Sequence, residues 1–305
     1  MPEELDTSDF VESMAMIISR TANGPVLHRR AEAFLSPRPA NLARTPDEVR
    51  ALEGRVAALA VAAGGLPTEL QVVPGEQKKR FDTYSNAALN EVLAVFYRAR
   101  RSVIDAHLSF TGHLTLKEHP DWLTNPPTGE GAKALANAME DQFWESTETA
   151  YIRLASFWDR VAQLLDFFFF GIRHFERDGF AAVVERIVLN LAPVDHALDA
   201  SPALTRLRSY QVSEQESGYA WLARRRNLLV HSLHLQPIAG QPEQDLFDTL
   251  HNHLEARLQK KLKPGTPVQE VERLHAQLTV ACERFEDVLS LCELRSAATR
   301  ARLDA

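Results

Sequence analysis

The chain has 305 residues, of which 45% are hydrophobic and 25% are charged, and its formal net charge is −7. These proportions exclude a fibrous or largely disordered chain and allow a substantial buried core. The acidic balance also excludes a protein that coats nucleic acid through its overall field, although it leaves room for a local basic site.

Two cysteines, Cys282 and Cys292, lie ten positions apart in one predicted helix. Helical rise separates them by about 15 Å, which is too far for a disulfide bond. Unpaired cysteines fit a reducing compartment, so we predict a cytoplasmic protein. The acidic N-terminal residues lead into no uninterrupted apolar segment, and no stretch approaches the ~18 apolar residues of a membrane helix. We therefore expect neither a secretory signal nor a membrane partner.

Nearly every periodic segment predicts a helix, and none shows the alternation of a strand. The fold class is therefore predicted to be all-α, a helical bundle. In the first part of the chain, helices are predicted over residues 8–20, from a cap at Thr45 to Gly64, and over residues 77–110. The prolines and glycines of residues 113–131 then predict a domain boundary or a flexible lid.

The second part of the chain begins with a long aromatic-rich helix, predicted from residue 132 to about residue 175. Aromatic side chains on several of its sides predict the centre of a bundle or a contact with a second protomer. Further helices are predicted over residues 178–191, from Ser201, over residues 243–263, and from a capping box at Thr266 and Gln269 to about residue 302. This organisation predicts an N-terminal helical region over residues 1–130, to which no role is assigned, and a helical bundle over residues 131–305.

One predicted helix, over residues 213–235, carries the side chains best suited to chemistry. Ser213 and Glu216 have the spacing of a capping box, so the helix is predicted to begin at Ser213. Asn227 and His231 share one face, whereas Arg226 falls among the apolar positions. Because an unpaired buried charge is costly, Arg226 is predicted to line a polar cleft or to meet an acid.

The segment from Arg226 to His231, RNLLVH, resembles the R-x4-6-H motif of the HEPN superfamily of helical domains, with asparagine directly after the arginine. In active members of that superfamily, the motif forms the site of an endoribonuclease that needs no metal and no cofactor, usually with two protomers across a shared cleft. The resemblance implies an HEPN-like domain over residues 131–305 that forms a homodimer. It also implies an RNA substrate such as tRNA, and a toxin or defence role with an antitoxin or another regulatory protein as partner.

The resemblance also implies roles for individual residues. His231 would exchange a proton with the RNA 2′-hydroxyl or the leaving 5′-oxygen, because imidazole titrates near neutral pH. Arg226 would hold the scissile phosphate, and Asn227 would orient the histidine or contact phosphate. Ser156 and Asp159, three positions apart on the long helix, would support the site, with Asp159 orienting Arg226 or His231.

Two alternatives stay open from the sequence. Arg224 and Arg225 are predicted to bind nucleic acid, although three consecutive arginines are also typical of a solvated helix face. The domain as a whole is alternatively a non-catalytic HEPN-like module for dimerisation or protein interaction. Arg101 and His107 show similar spacing, but they lack the asparagine and lie outside the region of resemblance.

Overall fold

A computed structural model describes residues 46–63, 77–118, 129–172, 179–231 and 264–304. These residues are almost entirely helical and include no strand, which confirms the all-α fold class. The helices are α1 (Pro46–Ala63), α2 (Gln77–Glu118), α3 (Gly129–Phe170), α4 (Phe180–Asn190), α5 (His196–Asp199), α6 (Pro202–Val212), α7 (Tyr219–His231) and α8 (Pro267–Asp304), with one 3-10 turn at Ala192–Val194. None of these helices combines the length and apolar character needed to cross a membrane. The helices predicted over residues 8–20 and 243–263 lie outside the described residues.

Three long helices form the centre of the structure. Helices α2 and α3, with 42 residues each, lie side by side along much of their length. Helix α8 packs against α1, α2, α3 and α6. Phe96 of α2, Phe157 of α3 and Phe285 of α8 meet with ring centroids 5.4 to 5.9 Å apart, in the tilted and edge-on arrangements that aromatic rings favour. Helices from both sides of residues 113–131 therefore contribute to one hydrophobic core.

Three predicted helix starts are confirmed, each for a local reason. Pro46 and Pro202 are the first residues of α1 and α6, where the fixed φ of proline suits a helix and its missing N–H is not needed. At α8, the backbone N–H of Thr266 donates to the Gln269 side chain at 2.9 Å, and the Gln269 N–H donates to the Thr266 hydroxyl at 3.4 Å. This reciprocal pair is the predicted capping box.

Two predicted helix ends are wrong. Helix α2 continues through Gly112 to Glu118 instead of ending near this glycine, which lies where α3 packs closely against α2. A Cβ atom at Gly112 would lie 2.6 Å from the Cε of Met139 on α3. Helix α3 ends at Phe170 instead of near residue 175, because Gly171 adopts a φ of 65°, the left-handed conformation that ends many helices.

Candidate functional site

Helix α7 begins at Tyr219, and the predicted start at Ser213 is wrong. Ser213 instead caps the end of α6, and Glu216 pairs with Arg273 of α8 at 2.6 Å. The loop between α6 and α7 turns tightly at Gly218, where a Cβ atom would lie 2.2 Å from the Ser213 carbonyl oxygen. A partner from α8 and a close backbone contact therefore replace the predicted capping box.

The buried arginine of α7 is Arg225. Its side chain is 1% exposed, and its Nη2 donates to Oε1 of Glu270 at 2.7 Å. The guanidinium also lies 5.4 Å from the ring centroid of Tyr151 and 5.5 Å from that of Trp221. This position does not allow the predicted contact with nucleic acid, because a buried carboxylate and two aromatic rings surround the charge.

Glu270 connects three elements through one buried carboxylate. Besides Arg225 of α7, it accepts hydrogen bonds from the Tyr151 hydroxyl of α3 at 2.7 Å, the Gly265 backbone N–H at 2.7 Å and Nη1 of Arg273 at 2.6 Å. Burial raises the pKa of Glu270, but the charge of Arg225, the hydrogen bonds and the charge of Arg273 together lower it below its usual value. This network holds α7 against α3 and α8.

Helices α3 and α7 pack against each other. Tyr151 of α3 packs against Trp221 with ring centroids 5.6 Å apart, and Trp158, further along α3, packs against the earlier residue Tyr219 at 6.4 Å. Asp159, the next residue after Trp158, lies within electrostatic range of Tyr219 at the beginning of α7. Arginine side chains in helices lean toward the N-terminus, which brings a side chain from the second half of α7 toward that carboxylate.

The structure brings Arg226, Asn227 and Asp159 to one region of the surface. Arg226 is partly buried, and its Nη1 donates to Oδ1 of the exposed Asn227 at 3.0 Å. Asp159 keeps solvent exposure, yet the surrounding protein desolvates its carboxylate and raises its pKa. The positive charges of Arg226 and Arg160 oppose this rise, which places both arginines within electrostatic range of Asp159.

The other predicted site residues have separate surroundings. Ser156 lies one turn before Asp159, and its hydroxyl donates to the backbone carbonyl of Ile152 at 2.9 Å. Arg224 pairs with Glu214 at 3.0 Å, a contact between partly exposed side chains near the surface. Neither contact joins the group formed by Arg226, Asn227 and Asp159.

His231 is the last residue of α7, and its side chain lies outside the described residues. Its backbone position follows Asn227 by one turn, about 6 Å along the helix axis and about 40° around it. Arg226, by contrast, is about 140° away from His231 around the helix. The Asn227 amide, which accepts the hydrogen bond from Arg226, therefore lies between the arginine and the histidine position.

Tyr219 belongs to the same region, although the sequence did not single it out. Burial raises its pKa to about 12, with a further rise from the charge of Asp159 and an opposing effect from Arg226. Both charged groups therefore lie within electrostatic range of the phenol. The seven-residue spacing between Tyr219 and Arg226 is the sequence signal that places them on one face of a helix.

No family model matches the chain, and neither a curated protein nor a solved structure matches it. The resemblance to the HEPN superfamily accordingly depends on Arg226, Asn227 and His231 and on their place in an all-α fold. Folds of this class serve many functions, so the evidence for function lies in the side chains of α3 and α7.

Proposed function

We propose that the protein is a metal-independent endoribonuclease of the HEPN type, acting on RNA through a site on α7. The observation that carries this proposal is the accessible guanidinium of Arg226, held by Asn227 and close to the carboxylate of Asp159. A planar guanidinium matches a phosphate group in shape and charge. The buried contacts of Arg225 support the proposal, because they hold the helix that presents Arg226.

The proposed reaction needs one proton acceptor and one proton donor. The acceptor removes the proton of the RNA 2′-hydroxyl, the 2′-oxygen bonds to phosphorus, and the bond from phosphorus to the 5′-oxygen breaks. The leaving 5′-oxygen takes a proton from the donor. In a homodimer, one His231 from each protomer supplies the two roles, and Arg226 stabilises the negative charge that develops on the phosphate. Asp159 orients Arg226 and offsets its charge when no RNA is bound.

Incubation of the purified protein with total RNA or tRNA in EDTA tests this proposal. We expect the wild type to cleave, and Arg226→Ala and His231→Ala each to lower the rate by about 100-fold or more, as removal of a charge-stabilising or proton-transfer group does. Arg101→Ala is the matched control, because Arg101 is an exposed arginine of α2 in the second pair with similar spacing. Cleavage that requires a divalent metal, or that survives both α7 substitutions, would contradict the proposal.

The shared cleft has a separate test. Light scattering at micromolar concentration should give the mass of a dimer for a protein that is active at that concentration. A strict monomer that cleaves RNA would rule out a site built from two protomers, and with it the assignment of both proton-transfer roles to His231.

The alternative is a non-catalytic module for dimerisation or protein interaction. This alternative predicts no cleavage of RNA and a partner protein that co-purifies with the chain.

A further inference from the structure

Tyr219 and Arg226 point to a binding surface longer than a single phosphate. Seven residues make almost two turns, so the two positions differ by only about 20° around α7. Along the axis they are separated by about 10 Å. The electrostatic influence of Arg226 and Asp159 on the Tyr219 phenol agrees with one common surface.

The ring of Tyr219 is held in place by an aromatic cluster. Its centroid lies 4.9 Å from that of Phe180, 6.2 Å from that of Tyr210 and 6.4 Å from that of Trp158. Trp158 and Phe180 are fully buried, so they form a rigid base for the ring. A hydroxyl carried on such a ring loses little conformational freedom when it binds a ligand.

The hydroxyl of Tyr219 is available as a hydrogen-bond donor. It lies beside the start of α4, 3.7 Å from the place that a Cβ atom would take at Gly179. Among the residues that the structure describes, none accepts its proton in a hydrogen bond, and the side chain is only partly buried. With a pKa of about 12, the phenol keeps this proton at physiological pH.

We propose that Tyr219 contacts RNA directly, its hydroxyl donating a hydrogen bond to the phosphate next to the one that Arg226 holds. This inference rests on the proposed ribonuclease function. The two backbone positions are about 10 Å apart along α7, and in this proposal the two side chains contact different phosphates of one strand. The site therefore discriminates substrates by length, and full activity needs RNA with at least two phosphodiester groups.

Short substrates of defined length test this inference. The first substrate is a dinucleotide with a single phosphodiester. The other two are trinucleotides with a second phosphodiester, which lies 5′ to the cleavable linkage in one and 3′ to it in the other. Each trinucleotide has only one 2′-hydroxyl, so only one linkage can be cleaved. We expect Tyr219→Phe, which keeps the ring packing, to lower kcat/KM about tenfold or more on one of the trinucleotides, as the loss of a hydrogen bond to a charged group does. Cleavage of the single-phosphate substrate should match the wild type.

Tyr210→Phe is the matched control, because it removes a hydroxyl from a buried ring of the same aromatic cluster. It should cleave all three substrates as the wild type does. An equal loss on all three substrates for Tyr219→Phe, or the same loss for Tyr210→Phe, would show a packing effect and overturn the inference.

A binding measurement separates this inference from the ribonuclease proposal. An oligodeoxynucleotide has phosphates but no 2′-hydroxyl, so its binding does not depend on catalysis. If the wild type cleaves no RNA, weaker binding of the oligodeoxynucleotide by Tyr219→Phe than by Tyr210→Phe still supports the phosphate contact. Equal binding by both variants overturns it, even in a protein that cleaves RNA.

Discussion

Glu270 helps to fix the position of α7, because it pairs with two arginines in a buried setting. We expect Glu270→Gln to lower the free energy of unfolding by about 3 to 5 kcal/mol at pH 7, since Arg225 would keep its charge without a buried counter-ion. Glu216→Gln is the control, because Glu216 also pairs with Arg273 but is 53% exposed. It should cost about 0 to 1 kcal/mol. Urea unfolding of both variants measures the difference, and equal losses would contradict the assignment.

The difference in unfolding free energy between wild type and Glu270→Gln is also expected to depend on pH. The net lowering of the Glu270 pKa means that the folded protein holds the carboxylate ionised more strongly than the unfolded chain does. Its stabilising contribution is complete above the unfolded pKa of a glutamic acid, about 4.3, and is lost as pH falls through the lower folded value. The difference in unfolding free energy between wild type and Glu270→Gln should therefore shrink on acidification. A constant difference down to pH 3 would argue against an ionised Glu270.

For the arginines of α7, the sequence predicts the kind of contact but not which arginine is fully buried. Arg226 is predicted to line a polar cleft or to meet an acid, and it lies partly buried within electrostatic range of Asp159. The fully buried arginine with a carboxylate partner is its neighbour Arg225. Neighbouring side chains point about 100° apart around a helix axis. An error of one position in the assumed buried face therefore exchanges Arg225 and Arg226. Glu270, 45 positions further along, was not recognisable as the partner, because the pairing depends on how α8 packs.

In the loop before α7, a single carbon atom added at Gly218 is expected to destabilise the protein. Gly218→Ala would place a Cβ atom 2.2 Å from the Ser213 carbonyl oxygen, so the backbone must shift. We expect a loss of about 1 to 3 kcal/mol in the free energy of unfolding, as for other overpacked sites. Gly54→Ala, in α1, is the control because its added carbon meets nothing within 4 Å. It should stabilise the protein by about 0.5 to 1 kcal/mol, and thermal unfolding of both variants gives the comparison.

Two sequence patterns of the same kind behave differently in this fold. Thr266 and Gln269 form a capping box, whereas Ser213 and Glu216 do not. The first pair needs only its own turn of helix. In the second, the Glu216 side chain instead pairs with Arg273 from α8, a contact over 57 positions. A local capping pattern therefore fails to predict the helix start where a distant charge, here Arg273, binds one of the two side chains.

For the molecule as a whole, composition and periodicity were sufficient to predict the all-α class, because helix formation depends on near neighbours. The grouping of helices into a core was not predictable in the same way. Phe96 and Phe285 are far apart in sequence, and their ring contact exists only after α2 and α8 have packed. The candidate site has the same limit: Arg226 and Asn227 are adjacent, whereas Asp159 comes from another helix.

The shared core makes the predicted division near residue 131 testable. Residues 131–305 alone would lack α1 and α2, which cover α3 and α8 through Phe96 and through the ion pair of Arg55 with Glu293 at 2.9 Å. Loss of this cover exposes large aromatic side chains, so we expect the fragment to aggregate or to melt without cooperativity in circular dichroism.

Co-expression of residues 1–130 as a separate chain should restore a cooperative transition, because the missing helices can pack from a second polypeptide. If the fragment melts cooperatively on its own, it is an independent domain, and the N-terminal helices are an addition to it. If it needs the N-terminal chain, the helices that carry Arg226 and Asp159 are held in position by the whole molecule, and RNA cleavage by the fragment should return together with its cooperative unfolding.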